Sequence, residues 1–178
     1  MILDRRLLVG SVALLLAAGT WAYRQAQDAV QEEQSIRRAA FSYYSSTILG
    51  DAEGCLKVAR LPMIAIRDGK ITNHSADVLR TLVRQIGNRA GVAGASEEVR
   101  KQVVGNMLRV FDDAEIRLLG AKTATVVFTV KPSPSKDVGE LLAELVLTKA
   151  DGEWRVIAEI TDSSPAPPMP QLPETPSR

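Results

Sequence analysis

The chain has 178 residues, of which 46% are hydrophobic and 24% are charged, and its formal net charge is +1. These proportions are ordinary for a globular protein with one core, and the near-neutral charge excludes the broad positive field typical of nucleic-acid binding. The single cysteine, Cys55, excludes an internal disulfide, and one cysteine with one histidine is too few for an ordinary zinc site. The chain also lacks a glycine-rich phosphate loop and a nucleophile elbow. It therefore predicts no metal, no cofactor and no nucleic acid.

The first 24 residues are predicted to direct the chain to a membrane. Arg5 and Arg6 precede an uncharged run of 17 residues at positions 7–23. This length lies at the lower limit for a bilayer-spanning helix and slightly above the hydrophobic region of a cleaved signal peptide. The two arginines predict an N-terminus inside and a domain outside. We expect an uncleaved single-pass anchor in the cell membrane. The alternative is cleavage at residues 20–22, Thr-Trp-Ala, which would release a secreted or periplasmic domain.

A long first helix is predicted to continue outward from the anchor. Residues 25–49 contain no proline or glycine and repeat apolar residues at helical spacing. The early part, residues 25–35, is polar nearly all round, which is typical of a solvated stalk. The folded domain is therefore expected to comprise residues 25–162, with the stalk at its start.

A short second helix and a strand are expected next. Gly50 ends the first helix, and Asp51 is the predicted N-cap of the second. Cys55 lies among apolar residues at helical spacing and is expected to be buried as a small hydrophobe. Pro62 is predicted to end this helix, and the apolar residues 63–66 predict a short strand.

Two amphipathic helices and a sheet complete the predicted domain. Apolar residues recur at helical spacing in residues 75–89 and 96–110, and the glycines between positions 87 and 94 are predicted to separate the two helices. After residue 112 the apolar period changes to two, which predicts a meander of antiparallel strands. Residues 163–178 are rich in proline and are predicted to be a disordered tail. The expected fold is therefore α+β, with helices first and a curved antiparallel sheet last.

Three short segments resemble the nuclear transport factor 2-like superfamily, which includes the polyketide-cyclase-like proteins. They are Tyr43-Tyr44, the Gly-Asp-Ala-Glu of residues 50–53, and the Ala-Asp-Gly-Glu-Trp-Arg-Val-Ile of residues 150–157. The resemblance covers residues 28–162 and implies a cystatin-like cone, in which a bent sheet wraps around helices and leaves a pocket at its wide end. In many catalytic or ligand-binding members a histidine or aspartate stands in that pocket, often just after the tryptophan-containing strand. Residues 158–160 are Ala-Glu-Ile here, a departure that argues against carrying over a catalytic function.

The final hairpin allows the residues facing the cone interior to be predicted. A two-residue turn at Asp151-Gly152 sets the pairs Leu147 with Val156, Leu145 with Ala158, and Glu144 with Glu159. The interior face then consists of Leu141, Ala143, Leu145, Leu147, Trp154, Val156, Ala158 and Ile160. Preceding strands add the alternating apolar residues Ala114, Ile116, Leu118, Ala124, Val126, Phe128 and Val130. This predicted interior contains no ionisable side chain, which argues for a plain core and against acid-base catalysis.

The opposite face of the predicted sheet is mixed. Glu144 and Glu159 would lie across the hairpin from one another, where they are solvated, bridged by Arg117 or Arg155, or held as a functional pair. The face also carries four residues that would suit an interface with a second subunit or an envelope protein: Thr125, Val127, Val146 and Ile157.

Few side chains are candidates for a ligand pocket or for catalysis. The predicted pocket residues are Tyr43, Tyr44, Phe128 and Trp154, with the tyrosine rings in the core and their hydroxyls at its rim. His74 and Tyr44 are the candidates for acid-base chemistry. His74 precedes a predicted helix and is expected to be an exposed cap-region residue, while Asp68 is expected to be a turn residue beside Gly69.

The function that the sequence supports best is that of a non-catalytic, membrane-tethered interaction or scaffold module. Its partners would be a second copy of the chain or envelope proteins, bound through the mixed sheet face. One alternative is an exported binder of a small apolar ligand. Another is an enzyme of the isomerase, dehydratase or cyclase type, using His74 or Tyr44.

Overall fold

The computed structural model describes the backbone of residues 5–130 and 141–163, and the side chains of residues 23–130 and 141–162. The predicted tail lies outside the described residues except for Ser163. Most side chains of the predicted anchor, residues 7–23, also lie outside them. Within the described part of the chain, no helix is both long and apolar enough to span a membrane.

The described residues form four helices and six strands, so the α+β prediction is confirmed. The helices are α1 (Arg5–Leu49), α2 (Ala52–Val58), α3 (Ala76–Arg89) and α4 (Glu97–Asp112). The strands are β1 (Ala59–Arg67), β2 (Lys70–His74), β3 (Glu115–Gly120), β4 (Thr123–Val130), β5 (Leu141–Ala150) and β6 (Glu153–Ser163).

Polar side chains begin three of the helices. Asp51 accepts a hydrogen bond from the Gly54 amide at 2.9 Å, as expected of the N-cap of α2. Ser75 and Ser96 cap α3 and α4 in the same way. These local bonds satisfy amides that the first helical turn leaves unpaired, which is why the sequence locates the helix starts well.

The sheet is mixed and not antiparallel throughout as predicted, although the meander predicted after residue 112, strands β3 to β6, is antiparallel as expected. Its strand order is β2-β1-β6-β5-β4-β3, and β1 runs parallel to β6. Strand β2 was not predicted. It pairs with β1 across the Asp68-Gly69 turn, where Asp68 has a positive φ of 48°. The parallel pair joins segments about ninety residues apart in sequence, so no local pattern reports it.

Strand β1 begins earlier than expected. Ala59 and Pro62 belong to the strand, and α2 ends at Val58 without the proline. The pairing of β1 with β6 is irregular between Ala59 and Ile64. Pro62 has no amide hydrogen to donate, and an irregular stretch of the ladder is where a strand tolerates that loss.

The core lies between the concave face of the sheet and the C-terminal half of α1. Ile36, Ala40 and Tyr43 of α1 pack on Leu145 and Leu147, all at most 1% exposed. Cys55 is fully buried, as predicted. Leu118 is 58% exposed at the edge of the sheet, and Val99 is 44% exposed on α4. Leu118 was expected to face inward. Phe111, which is 2% exposed, fills the space beneath α4.

Gly87 lies inside α3, which ends at Arg89 in agreement with the predicted span of residues 75–89, so the break between the two helices begins after Arg89 and not at Gly87. The helix continues to Arg89, and Gly87 packs against Gly50 at the end of α1. A Cβ atom on Gly87 would lie 2.5 Å from the Gly50 Cα. The glycine therefore permits two helices to cross at backbone contact, a role that sequence spacing does not distinguish from helix termination.

The polar start of the domain is attached to the sheet through Glu32. Residues 23–31 are exposed, as expected of a stalk, but Glu32 is half-buried. Its carboxylate accepts bonds from Lys149 Nζ at 2.6 and 2.7 Å and from Trp154 Nε1 at 3.0 Å. Five residues later, Arg37 donates to the carbonyl of Phe111 at the end of α4. Helix α1 is thus tied to the last hairpin and to α4 by charged groups.

Candidate functional site

A cavity of about 500 Å³ opens between α3 and the strands β1, β2 and β6. We call it the cone cavity. Its lining is Tyr43, Thr47, Ala65, Arg67, Asp68, Lys70, Thr72, His74, Leu79, Leu82, Val83, Gln85, Ile86, Arg89 and Glu159. The volume falls in the range of small-molecule sites, and the lining combines an apolar wall with a few polar groups.

A β-bulge in β6 turns Glu159 into this cavity. Leu147 pairs with Val156 as predicted, but the register then shifts by one residue, so that Glu159 lies opposite Leu145. Because side chains alternate between the two faces of a strand, one extra residue reverses the facing of all that follow. Ala158 and Ile160 therefore lie on the outer face, and Thr161 faces inward with Glu159.

The bulge overturns two predictions about the carboxylates. Glu144 lies opposite Ile160 and Val127, so it does not face Glu159 across the hairpin. The interior of the cone does contain an ionisable group, contrary to expectation. No residue type in β6 marks the bulge, which is why spacing from the Asp151-Gly152 turn placed Glu159 on the wrong face.

Tyr43 holds the Glu159 carboxylate. The Tyr43 hydroxyl donates a hydrogen bond of 2.8 Å to Glu159 Oε2, and the tyrosine is 1% exposed. Burial and the nearby charge of Glu159 raise the pKa of Tyr43 well above its usual value. The phenol therefore stays protonated at neutral pH and remains a donor. The pair forms a fixed polar anchor at the inner end of the cavity.

His74 is the last residue of β2 and lines the cavity, not the exposed helix cap that was predicted. Its Nε2 lies 3.1 Å from Thr72 Oγ1, and its buried Nδ1 has no hydrogen-bond partner among the described residues. Desolvation lowers the pKa of His74 below its usual value, so the ring is neutral at pH 7. The side chain thus adds a neutral polar group to the cavity wall.

The mouth of the cavity is basic. Arg67 ends β1, Lys70 begins β2 and Arg89 ends α3, and all three are exposed where they line the cavity. Arg67 Nε makes a long bond of 3.4 Å to Thr161 Oγ1. Asp68 lines the same region at the tip of the β1–β2 turn. The sequence pattern did not predict this group of cations, because they come from three separate elements, one of which was not predicted.

The other predicted pocket residues lie elsewhere. Tyr44 and Phe128 pack together with ring centroids 5.0 Å apart, in an aromatic cluster that includes Phe111. Burial raises the pKa of Tyr44 to about 12. Trp154 is 5% exposed and bonded to Glu32. Of the four predicted pocket residues, Tyr43 is the one that lines the cone cavity.

The described residues contain no group of three or more histidine, cysteine or acidic side chains that could hold a metal ion. Cys55 is buried beside Thr47, whose hydroxyl lies 3.6 Å from its sulfur. Burial raises the pKa of the Cys55 thiol to about 11, so it carries no thiolate at neutral pH. The polar groups of the cone cavity can bind and orient a molecule through hydrogen bonds and charge.

Three of the predicted interface residues, Thr125, Val127 and Val146, lie on the sheet face that points away from the cavity, which we call the outer face. Thr125 lies opposite Val146, and Val127 lies opposite Glu144. Ile157 occupies the bulge between the paired residues Val156 and Ala158. Thr125 is 4% exposed, while the three apolar residues Val127, Val146 and Ile157 are half-buried.

The arrangement of helices and sheet is that of known cone-shaped proteins. One is an NTF-2-like protein of unknown function from Silicibacter pomeroyi, whose sequence is 10% identical to this chain. The two structures superpose with a TM-score of 0.52, and the match covers 76% of this chain and 98% of the Silicibacter protein. Another is a protein of unknown function from Mycobacterium tuberculosis, whose sequence is 16% identical to this chain. Its structure superposes with a TM-score of 0.50, and the match covers 78% of this chain and 75% of the Mycobacterium protein. No known family model matches the sequence, and no curated protein matches it.

These likenesses show that the chain has the nuclear transport factor 2-like cone fold, which confirms the prediction made from its motifs. At these identities the likeness concerns the fold alone. What the domain does must be argued from its own cavity and surface.

Proposed function

We propose that the chain is a membrane-tethered, extracytoplasmic module that binds a small organic molecule in the cone cavity. The observation that carries the proposal is the Tyr43–Glu159 pair, a hydrogen-bonded polar anchor set into a cavity of about 500 Å³. A plain core would place an apolar residue opposite Leu145. The bulge in β6 instead brings in a half-buried carboxylate, a polar group that can orient a ligand.

The apolar side of the cavity supports binding by shape. Leu79, Leu82, Val83 and Ile86 of α3 form one wall, and Ala65 of β1 faces them. An aliphatic or aromatic ligand body would bury against this wall, since removal of apolar surface from water stabilises a complex by roughly 25 cal/mol per Å². The membrane tether proposed from residues 7–23 would hold this site outside the membrane.

Filling the cavity is expected to abolish ligand binding. Ala65→Phe would place a ring in the space opposite α3, whereas Ile66→Phe, the matched control, adds a ring on the outer face. The assay is thermal melting of the full-length protein with a panel of water-soluble acids, alcohols and amines of similar size. We expect at least one compound to raise the melting temperature of the wild type and of Ile66→Phe, but not of Ala65→Phe. If no compound shifts the wild type, the cavity is not a ligand site.

The exposed residues of the outer face support a second function, which is self-association of the module. A module that associates with further copies of itself would act as a scaffold. Ile64, Ile71 and Leu142 on this face are 42%, 70% and 48% exposed. The same face carries Glu144 and Arg117, so it offers both signs of charge to a second copy related by a two-fold axis. Large exposed apolar side chains grouped on one face are typical of protein interfaces.

Charging the outer face is expected to separate the copies. The double change Val146→Asp with Ile157→Asp places one carboxylate on the outer face and a second in the bulge beside it, and Leu118→Asp at the sheet edge is the control. The molar mass of the detergent-solubilised chain, measured by light scattering, should fall from a dimer to a monomer for the double variant alone. A monomeric wild type would overturn self-association, and co-purification of a different envelope protein that is lost in the double variant would assign the face to that partner.

A further inference from the structure

We infer that the ligand of the cone cavity is a small amphipathic organic anion, with its acidic group at the mouth and its apolar body against α3. This inference rests on the proposed ligand-binding function and adds the chemical class of the ligand. It is carried by the uneven placement of charge along the cavity, which has cations at one end and a carboxylate at the other.

The cations at the mouth, Arg67, Lys70 and Arg89, are exposed and line the cavity. They outnumber Asp68, the acidic residue beside them in the lining. An arginine presents several donors in a planar fork that suits a carboxylate, and the lysine adds a mobile positive charge. A group with a negative charge is therefore favoured at this end.

The inner end of the cavity disfavours an anion. Glu159 lies beside Ala65 in the parallel pair of strands, and Arg67 lies beside Thr161 two residues further along. Two residues of a strand span roughly 7 Å, so the backbone positions of Ala65, beside Glu159, and of Arg67 are about that far apart along the strand. A ligand with its acidic group next to Glu159 would face like-charge repulsion. The ligand is thereby oriented with its charge outward and with an apolar or hydrogen-bond-donating end inward.

The lining in the middle of the cavity determines that the body of the ligand is apolar. The α3 residues Leu79, Leu82, Val83 and Ile86 offer an apolar surface between the two ends. A fully hydrated inorganic anion would leave this wall without a partner, and a purely apolar molecule would make no use of the three cations at the mouth. An amphipathic anion satisfies both regions. This differs from the apolar ligand expected from the sequence, because that expectation assumed an interior without charge.

A matched series of compounds tests the assignment. We would measure the affinity of the full-length protein for 4-phenylbutanoate, 4-phenylbutan-1-ol and 4-phenylbutylammonium, which share one body and differ in the charge of the head. The acid is expected to bind about tenfold more tightly than the alcohol, and the ammonium compound least. The double variant Lys70→Gln with Arg89→Gln should lose this preference while still binding the alcohol. Arg84→Gln, on the same helix but outside the cavity lining, is the control and should behave as the wild type.

The outcomes separate the two proposals. If the alcohol or the ammonium compound binds as tightly as the acid, or if the double variant keeps the affinity for the acid within about twofold, the anionic class is wrong while the cavity remains a ligand site. If none of the three compounds binds the wild type and the wider panel also fails, the ligand-binding function itself is overturned. Loss of the acid preference in Arg84→Gln would mean that overall charge, and not the cavity mouth, attracts the anion.

Discussion

Replacing Gly87 by alanine is expected to lower the free energy of unfolding by about 3 kcal/mol. The new Cβ atom would lie 2.5 Å from the Cα and 2.8 Å from the amide nitrogen of Gly50. Both are backbone atoms, so no side-chain rotation relieves the clash, and the helices must move apart. Gly50 itself has a φ of +74° as it ends α1, a conformation that favours glycine and resists adjustment. Thermal melting followed by circular dichroism measures the loss.

Gly105→Ala provides the control for this prediction. Gly105 also lies within a helix, α4, but a Cβ atom there would meet nothing within 4 Å. Alanine is the better helix former by up to about 1 kcal/mol, so this variant is expected to be slightly more stable than the wild type. The same substitution thus has opposite signs at the two positions. Equal effects would show that α1 and α3 do not meet at Gly50 and Gly87.

Removing the Glu32 carboxylate is expected to cost about 2 kcal/mol of stability. Glu32→Ala deletes the acceptor of two bonds from Lys149 and one from the Trp154 indole. The indole is 5% exposed, so its N–H would be left without a partner in a largely dry environment. Lys149 is partly exposed and can be hydrated, so most of the cost comes from Trp154. Glu32→Gln keeps an acceptor for the indole and should lose less.

The neighbouring residue gives the matched control. Glu33→Ala removes an exposed ion pair with Arg37, one turn along the same helix, and is expected to change stability by less than about 0.5 kcal/mol. Melting curves of the four proteins, wild type included, would be compared under one detergent condition. If Glu32→Ala and Glu33→Ala melt alike, the polar start of α1 is a solvated stalk throughout, as the sequence suggested, and is not attached to the last hairpin.

The helices show which structural features local sequence patterns can predict. Their starts were predicted within a residue or two because Asp51, Ser75 and Ser96 act on amides three residues away. Gly87 shows the limit of the same reasoning. A glycine near the end of an amphipathic stretch is typical of helix termination, and only the approach of Gly50 from another helix reveals that it serves packing.

The candidate site illustrates the same limit more sharply. Tyr43 was predicted to be a pocket residue and lines the cavity, but its partner Glu159 was placed on the opposite face. Regular alternation from the Asp151-Gly152 turn is correct as far as Val156 and fails at the bulge. Lys70 and His74 belong to β2, a short strand with no clear apolar alternation, so this part of the cavity wall could not be foreseen.

By itself, the sequence of this protein determined the α+β class, the positions of the helix N-caps, the burial of Cys55 and the motifs that resemble the cone fold. These depend on composition, periodicity and interactions within about four residues of chain. The tertiary structure alone decided that β1 lies parallel to β6, that the bulge turns Glu159 inward, and that the separate cations at 67, 70 and 89 share one cavity mouth. The physical reason is that strand register and strand order arise from contacts between distant segments, and a shift of one residue exchanges the two faces of a strand.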